Sequence, residues 1–97
     1  MTPSEHLLVC LAEESSEVVK AVAKALRFGL HVKYDGYADG KTNVEAIRHE
    51  LHDPMAVIEM VNDEVWDVLP FDRALIEQKK SKVCRFMGHA RVNGSIQ

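Results

Sequence analysis

Apolar residues recur at helical spacing along the first 28 residues of the chain. At about 100° per residue they share one stripe of the helix surface: Leu7, Leu11, Val18, Val22 and Ala25. Thr2 and Glu5 have the spacing of a capping box, and Pro3 suits the first helical position. Gly29 is a typical C-terminal stop. The pattern therefore predicts a first helix of about 26 residues.

A second apolar stripe follows a long connection. Residues 30–41 contain two Asp-Gly pairs and no sustained period, which indicates a loop. Thr42 and Glu45 repeat the capping-box spacing and predict a helix over 43–64. Its apolar stripe contains Ile47, Leu51, Ile58 and Val61. Pro54 lies inside this helix and predicts a kink just before it.

A third helix is predicted after the turn "DVLPFD". Asp72 can cap it, and Gly88 suggests that it ends near that residue. The tail 89–97 is expected to be frayed, and no segment alternates long enough to predict a strand. The predicted fold class is therefore all-α: one domain over 1–97, an antiparallel bundle of three main helices per chain, completed by oligomerisation.

Carboxylates interrupt both apolar stripes. Glu14 lies inside the first stripe, Glu17 at its edge, and Glu13 further out. Glu50 lies inside the second stripe and Asp53 at its margin. Each helix therefore directs an acidic pair with i, i+3 spacing towards the interior.

Several buried carboxylates repel one another unless protons, cations or metal neutralise them. Four or five of them in a helical bundle suit hard divalent cations with oxygen ligands, Mg²⁺ or Mn²⁺. In the alternative interpretation Glu13 and Glu17 form a solvated face, and only Glu14 is partly buried beside a lysine. The second acidic pair favours the metal site.

Composition narrows the class of protein. The chain has 97 residues, 46% hydrophobic and 28% charged, with a net charge of −3. That charge argues against a nucleic-acid clamp. There is no signal peptide and no run of about 18 apolar residues, so neither export nor membrane insertion is expected. The two cysteines form no CxxC pair, and we expect reduced thiols in the cytoplasm.

Together these residues resemble a family. "EESSE" at 13–17 followed by "ELHD" at 50–53 is similar to the E-E-x-x-E … E-x-x-D signature of the MazG-like, all-α nucleoside triphosphate pyrophosphohydrolases. The stretches "KALRFGL" at 24–30, "TNVEAIRHELHDPMAVIEMV" at 42–61 and "KSKVCRFM" at 80–87 resemble the small phage and bacterial members.

The resemblance implies a helical bundle that assembles as homodimers or dimer-based tetramers. It implies Mg²⁺-dependent hydrolysis of a (d)NTP to the (d)NMP and pyrophosphate, in a role that cleans the nucleotide pool. By motif position, the expected metal ligands are Glu14, Glu17, Glu50 and Asp53. Glu13 corresponds to an additional catalytic glutamate that holds a further metal or orients water. Related substrates, dUTP or phosphoribosyl-ATP, are alternatives, as is a catalytically weak helical interaction module.

Other side chains are candidates for substrate contact. Lys24 is on the Glu17 side of the first helix, and Lys79 and Lys82 are spaced i, i+3 on the third. All three are either phosphate ligands or ordinary surface lysines. Tyr34 and Tyr37 could stack on a base from the long loop. "HELHD" lacks the H-E-x-x-H zinc pattern, so His49 and His52 are interpreted as polar-face residues, with an outer-shell or base contact as the alternative.

Overall fold

The computed structural model describes residues 1–33, 40–64 and 68–97. These ranges contain three α-helices: α1 (Pro3–Phe28), α2 (Asn43–Glu64) and α3 (Arg73–Val92). The β-structure in this part of the chain is one isolated bridge between Lys33 and Thr42. The predicted all-α class is therefore confirmed. Tyr34 and Tyr37 lie outside the described residues.

The ends of α1 follow from its capping residues. Thr2 accepts a hydrogen bond from the Glu5 amide at 3.1 Å, and the Glu5 carboxylate accepts one from the Thr2 amide at 2.7 Å. This reciprocal pair satisfies two amides that have no partner inside the helix. At the other end Gly29 adopts φ 101°, which favours glycine, and its amide donates to Ala25. Both predicted ends of α1 are confirmed.

The later helices begin where the sequence predicts. Thr42 accepts from the Glu45 amide at 3.3 Å before α2, and Asp72 accepts from two amides at the start of α3. The α2 helix continues through Pro54. The predicted end of α3 near Gly88 is wrong, because the helix continues to Val92. A glycine inside a helix costs only about 1 kcal/mol relative to alanine, so Gly88 does not stop it.

The α1 and α2 helices pack against each other as an antiparallel hairpin. The Asn43 side-chain amide donates to the Gly29 carbonyl at 2.7 Å, so the end of α1 lies beside the start of α2. The contact buries mostly small side chains, which let the two backbones approach closely: Ala21, Ala25, Asn43, Ala46 and Val61. The hairpin is thus the packed part of the described chain.

The α3 helix lies apart from this hairpin. Within the described ranges none of its Cα atoms comes within 8 Å of α1 or α2, and none of its residues is buried. The single chain therefore does not form the expected three-helix bundle by itself. No described helix is long and apolar enough to cross a membrane.

The exposed area reflects this open arrangement. The chain exposes 7603 Å², and its Cα radius of gyration is 16.8 Å. A compact monomer of 10.9 kDa exposes about 5,600 Å². Its radius of gyration is about 12.5 Å. About 2,000 Å² more surface is exposed than a compact monomer would leave.

Candidate metal centre

Three carboxylates converge where the middles of α1 and α2 meet. Glu14 comes from α1, and Glu50 and Asp53 come from successive turns of α2. One oxygen from each lies within 4.8 Å of the others, and all three residues are half-buried. The i, i+3 spacing puts Glu50 and Asp53 on one helix face, and antiparallel packing brings Glu14 opposite them.

The donor set fits a hard divalent cation. Carboxylate oxygens are the ligands that Mg²⁺ and Mn²⁺ prefer. Two oxygens on opposite sides of a Mg²⁺ ion lie about 4.2 Å apart, because each bond is about 2.1 Å long. Oxygens no more than 4.8 Å apart could therefore close around such an ion through small side-chain rotations.

The electrostatics of the cluster centre on Glu14. Desolvation by burial raises its pKa above the ordinary value of 4.5. Neighbouring carboxylates raise that pKa further: Asp53, Glu50, Glu17 and Glu13. Both causes disfavour the charged form, and a bound cation would oppose both. The position combines a metal-ligand geometry with surroundings that disfavour the negative charge of Glu14.

Glu17 and Glu13 occupy different surroundings from the three converging carboxylates. The Glu17 carboxylate accepts from the Lys20 ammonium at 3.3 Å, and its side chain is 46% exposed. Glu13 is exposed. The structure therefore brings together three of the four predicted ligands and directs Glu17 towards Lys20. An i, i+3 pair exposed to this extent is weak, so Glu17 could exchange Lys20 for a cation at little cost.

The predicted substrate-binding lysines are divided between two elements. Lys24 is half-buried on α1, two turns beyond Glu17. Lys79 and Lys82 are exposed on α3, which lies apart from the hairpin. Within one described chain, these two lysines are therefore not brought to the carboxylates.

A basic cavity beside α2 brings Lys41 and Arg48, which the sequence analysis did not single out, together with His49 and His52, which it interpreted as polar-face residues. It has a volume of about 300 Å³ and is lined by Lys41, Glu45, Arg48, His49 and His52. His52 Nδ1 lies 2.7 Å from the Arg48 carbonyl oxygen. The i, i+3 and i, i+4 spacings of Glu45, Arg48, His49 and His52 were the available signal. The α2 residues of the cavity lie about 100–160° around the helix from Glu50, so the cavity is separate from the carboxylate cluster.

Comparisons with protein-family models, with curated proteins and with solved structures find no match for this chain.

Proposed function

We propose that this chain is a Mg²⁺-dependent nucleoside triphosphate pyrophosphohydrolase, which converts a (d)NTP and water into the (d)NMP and pyrophosphate. The observation that carries the proposal is the convergence of Glu14, Glu50 and Asp53 within 4.8 Å. The E-E-x-x-E … E-x-x-D resemblance supplies the reaction. Mn²⁺ could replace Mg²⁺ at such an oxygen site.

The proposed role of each carboxylate, and of Lys24, follows from its position in the hairpin. Glu14, Glu50 and Asp53 would hold the cation, and Glu17 would join them after leaving Lys20. A bound divalent cation neutralises phosphate charge and makes bound water more acidic. Glu13, exposed beside the cluster, could orient water. Lys24, the half-buried lysine of α1, would face the polyphosphate. Catalysis of this kind is mainly positioning and electrostatics, and it needs no covalent nucleophile.

Self-association is part of the proposal. About 2,000 Å² of surface beyond that of a compact monomer would be covered in a homodimer or a dimer-based tetramer. Lys79 and Lys82 could then meet a substrate only on a second copy, because α3 lies apart from its own hairpin. The cytoplasm remains the expected compartment.

The test is a panel of NTPs and dNTPs, including dUTP and phosphoribosyl-ATP, with Mg²⁺. Products are resolved as monophosphate plus pyrophosphate or as diphosphate plus phosphate. We expect pyrophosphate, and we expect Glu50→Gln and Asp53→Asn to lower its release at least about 100-fold. Changes of outer-shell residues alone cost about 10–100-fold at metal sites. Lys33→Ala serves as a control away from the cluster.

One observation favours a second candidate, a helical interaction module in which a cation held by the acidic cluster stabilises the hairpin without catalysis. Glu17, one of the four motif carboxylates, is paired with Lys20 rather than with the cluster. In that case Mg²⁺ would raise the melting temperature and EDTA would lower it, but no nucleotide would be cleaved. If Mg²⁺ shifts neither melting nor activity, the cation site itself is refuted.

A further inference from the structure

The α3 helix has an apolar side that nothing in the described chain covers. At about 100° per residue its large apolar residues span about 120° of the helix circumference. They are exposed or half-buried: Leu75, Ile76, Val83, Phe86 and Met87. Lys79 lies within the same arc, where its aliphatic stem can cover apolar surface while its ammonium stays in water. An amphipathic helix gains its stability from packing this stripe against another surface. The stripe therefore requires a partner.

The α1–α2 hairpin has a matching apolar face beside the contact between its helices. On α1 the face consists of Leu8, Val19, Val22 and Leu26. On α2 it consists of Val44, Leu51 and Met55. On each helix the stripe is rotated about 120° around the helix axis from the residues that contact the other helix. The rotation follows increasing residue number in both cases. Because the helices are antiparallel, the two stripes turn to the same side and form one continuous surface, here called the hairpin face.

The carboxylate cluster lies away from the hairpin face. Asp53 and Glu17 lie about 60° on the other side of the interhelical contact, and Glu14 and Glu50 lie within it. A helix seated on the hairpin face would therefore leave the cluster accessible from the opposite side of the hairpin. The same packing keeps Lys79 and Lys82 of the docked α3 away from that side, so it leaves the phosphate contact to Lys24, which lies on the Glu17 side of α1.

Charge also matches α3 to the hairpin. Six of the chain's 12 Lys and Arg residues lie on α3, together with one of its 15 acidic residues, Glu77. The other six basic and 14 acidic residues precede α3. Locally, Arg73, Lys80 and Arg91 border the α3 stripe. The α2 border of the hairpin face carries Glu45, Glu59 and Asp63 together with Arg48, so it keeps an acidic excess. Docking would thus join complementary charges around an apolar centre.

Two hydrogen bonds between the Asn62 side chain and the Leu69 backbone, here called the clamp, hold the segment that leads into α3. The Leu69 amide donates to Asn62 Oδ1 at 2.7 Å, and Asn62 Nδ2 donates to the Leu69 carbonyl at 3.1 Å. This clamp lies three residues before the capping Asp72 and belongs to an arrangement in which α3 leaves its own hairpin. A second copy is the partner that supplies both an apolar face and an acidic border.

We propose that α3 of one copy packs its apolar stripe on the hairpin face of a second copy, and that the exchange is reciprocal about a two-fold axis. Covering about 2,000 Å² on each chain would bury about 4,000 Å² in total, within the range of obligate homodimers. This inference rests on the proposed self-association and is independent of the proposed catalysis.

Two charge variants test the exchange. Val22→Glu places a carboxylate on the hairpin face, and Phe86→Lys places an ammonium on the α3 stripe. Val22 is 38% exposed and Phe86 55% exposed, so neither side chain is needed to fill the core of a single chain. Glutamate and lysine are good helix formers. The matched controls are Ala23→Glu, one residue off the hairpin face, and Ser81→Lys, on the opposite side of α3.

Light scattering measures the mass of each protein and of an equimolar mixture of the two variants. We expect the wild type and both controls at twice 10.9 kDa or a higher multiple, and each variant alone at 10.9 kDa. The mixture should regain the associated mass. A mixed pair keeps one unaltered α3–hairpin contact, and its other contact joins the new lysine to the new glutamate.

Other outcomes would overturn the exchange. A monomeric wild type refutes it, and so does a mixture that stays at the monomer mass. An associated Phe86→Lys protein would mean that hairpin faces pack directly on one another. Circular dichroism checks the helical content, and Leu26→Glu replaces Val22→Glu if that variant unfolds. The readout is mass, so it would stand even if the chain cleaved no nucleotide.

Discussion

Asn43 joins the end of α1 to the start of α2, and its replacement should lower the stability of the hairpin. The residue is fully buried, and its side-chain amide donates to the Gly29 carbonyl at 2.7 Å. Its backbone amide donates to the Val32 carbonyl at 3.0 Å. These bonds tie the end of α1 and the following loop to the start of α2. They therefore help to set the register that places Glu14 opposite Glu50.

Asn43→Ala removes the side-chain hydrogen bond and leaves a space in a buried position. The loss of a buried hydrogen bond destabilises a protein by about 1–3 kcal/mol. For a chain of about 100 residues, 2 kcal/mol corresponds to a fall of about 8–16 °C in the melting temperature. Asn43→Asp should cost more than the alanine variant, because a buried carboxylate would face the Gly29 carbonyl oxygen.

Thermal melting followed by circular dichroism measures both variants in EDTA. Gln78→Ala is the control, since Gln78 is an exposed carboxamide inside α3 and away from the helix caps, where substitutions change stability by about 0.5 kcal/mol or less. If Asn43→Ala melts within about 2 °C of the wild type, a shift of less than about 0.5 kcal/mol, the buried bond does not hold the hairpin. If Asn43→Asp is the more stable of the two variants, the assigned donor direction is wrong.

The other predictions concern the carboxylates and the clamp. The raised pKa of Glu14 means that its contribution to stability is present below its ordinary value of 4.5 and is lost as pH rises through the raised value. We therefore compare the melting temperatures of the wild type and of Glu14→Gln in EDTA. The wild-type value should fall relative to that of the variant as pH rises above 4.5, and Mg²⁺ should suppress this relative fall. A difference between the two melting temperatures that does not change with pH would contradict the assignment. Asp53→Asn should abolish most of the Mg²⁺-induced rise in melting temperature, whereas Glu13→Gln, at an exposed position, should retain it. Asn62→Ala removes both hydrogen bonds to Leu69 and should lower stability by about 1–3 kcal/mol, and an unchanged melting curve would mean that the clamp does not hold the chain.

The local structure could be predicted from the sequence because its causes are local. Thr2, Glu5 and Gly29 define the ends of α1 through bonds that span a few residues. Thr42 and Asp72 do the same for the starts of α2 and α3. Gly88 misled the prediction of the end of α3, because a glycine signals a stop only where the backbone adopts a positive φ. That occurs at Gly94, with φ 81°.

The candidate site was partly predictable. Helical periodicity placed Glu14 and Glu50 on the inner faces of two helices before their relative position was known. Periodicity could not distinguish Glu17 from Glu14, because a partner such as Lys20 competes for a carboxylate through side-chain rotation. The antiparallel contact of α1 with α2 made Glu14, Glu50 and Asp53 neighbours, at a separation that no sequence spacing specifies.

The sequence by itself thus determined the three helices, the caps at their starts, the end of α1 and the faces that carry acidic residues, since each depends on residues within a few positions of one another. Only the tertiary structure decided which helices touch. Small residues at Ala21, Ala25 and Ala46 allow α1 and α2 to pack closely, while the apolar stripe of α3 remains exposed. A stripe specifies that a helix needs a partner, but burial of apolar area is non-directional, so the pattern alone cannot specify which surface covers it.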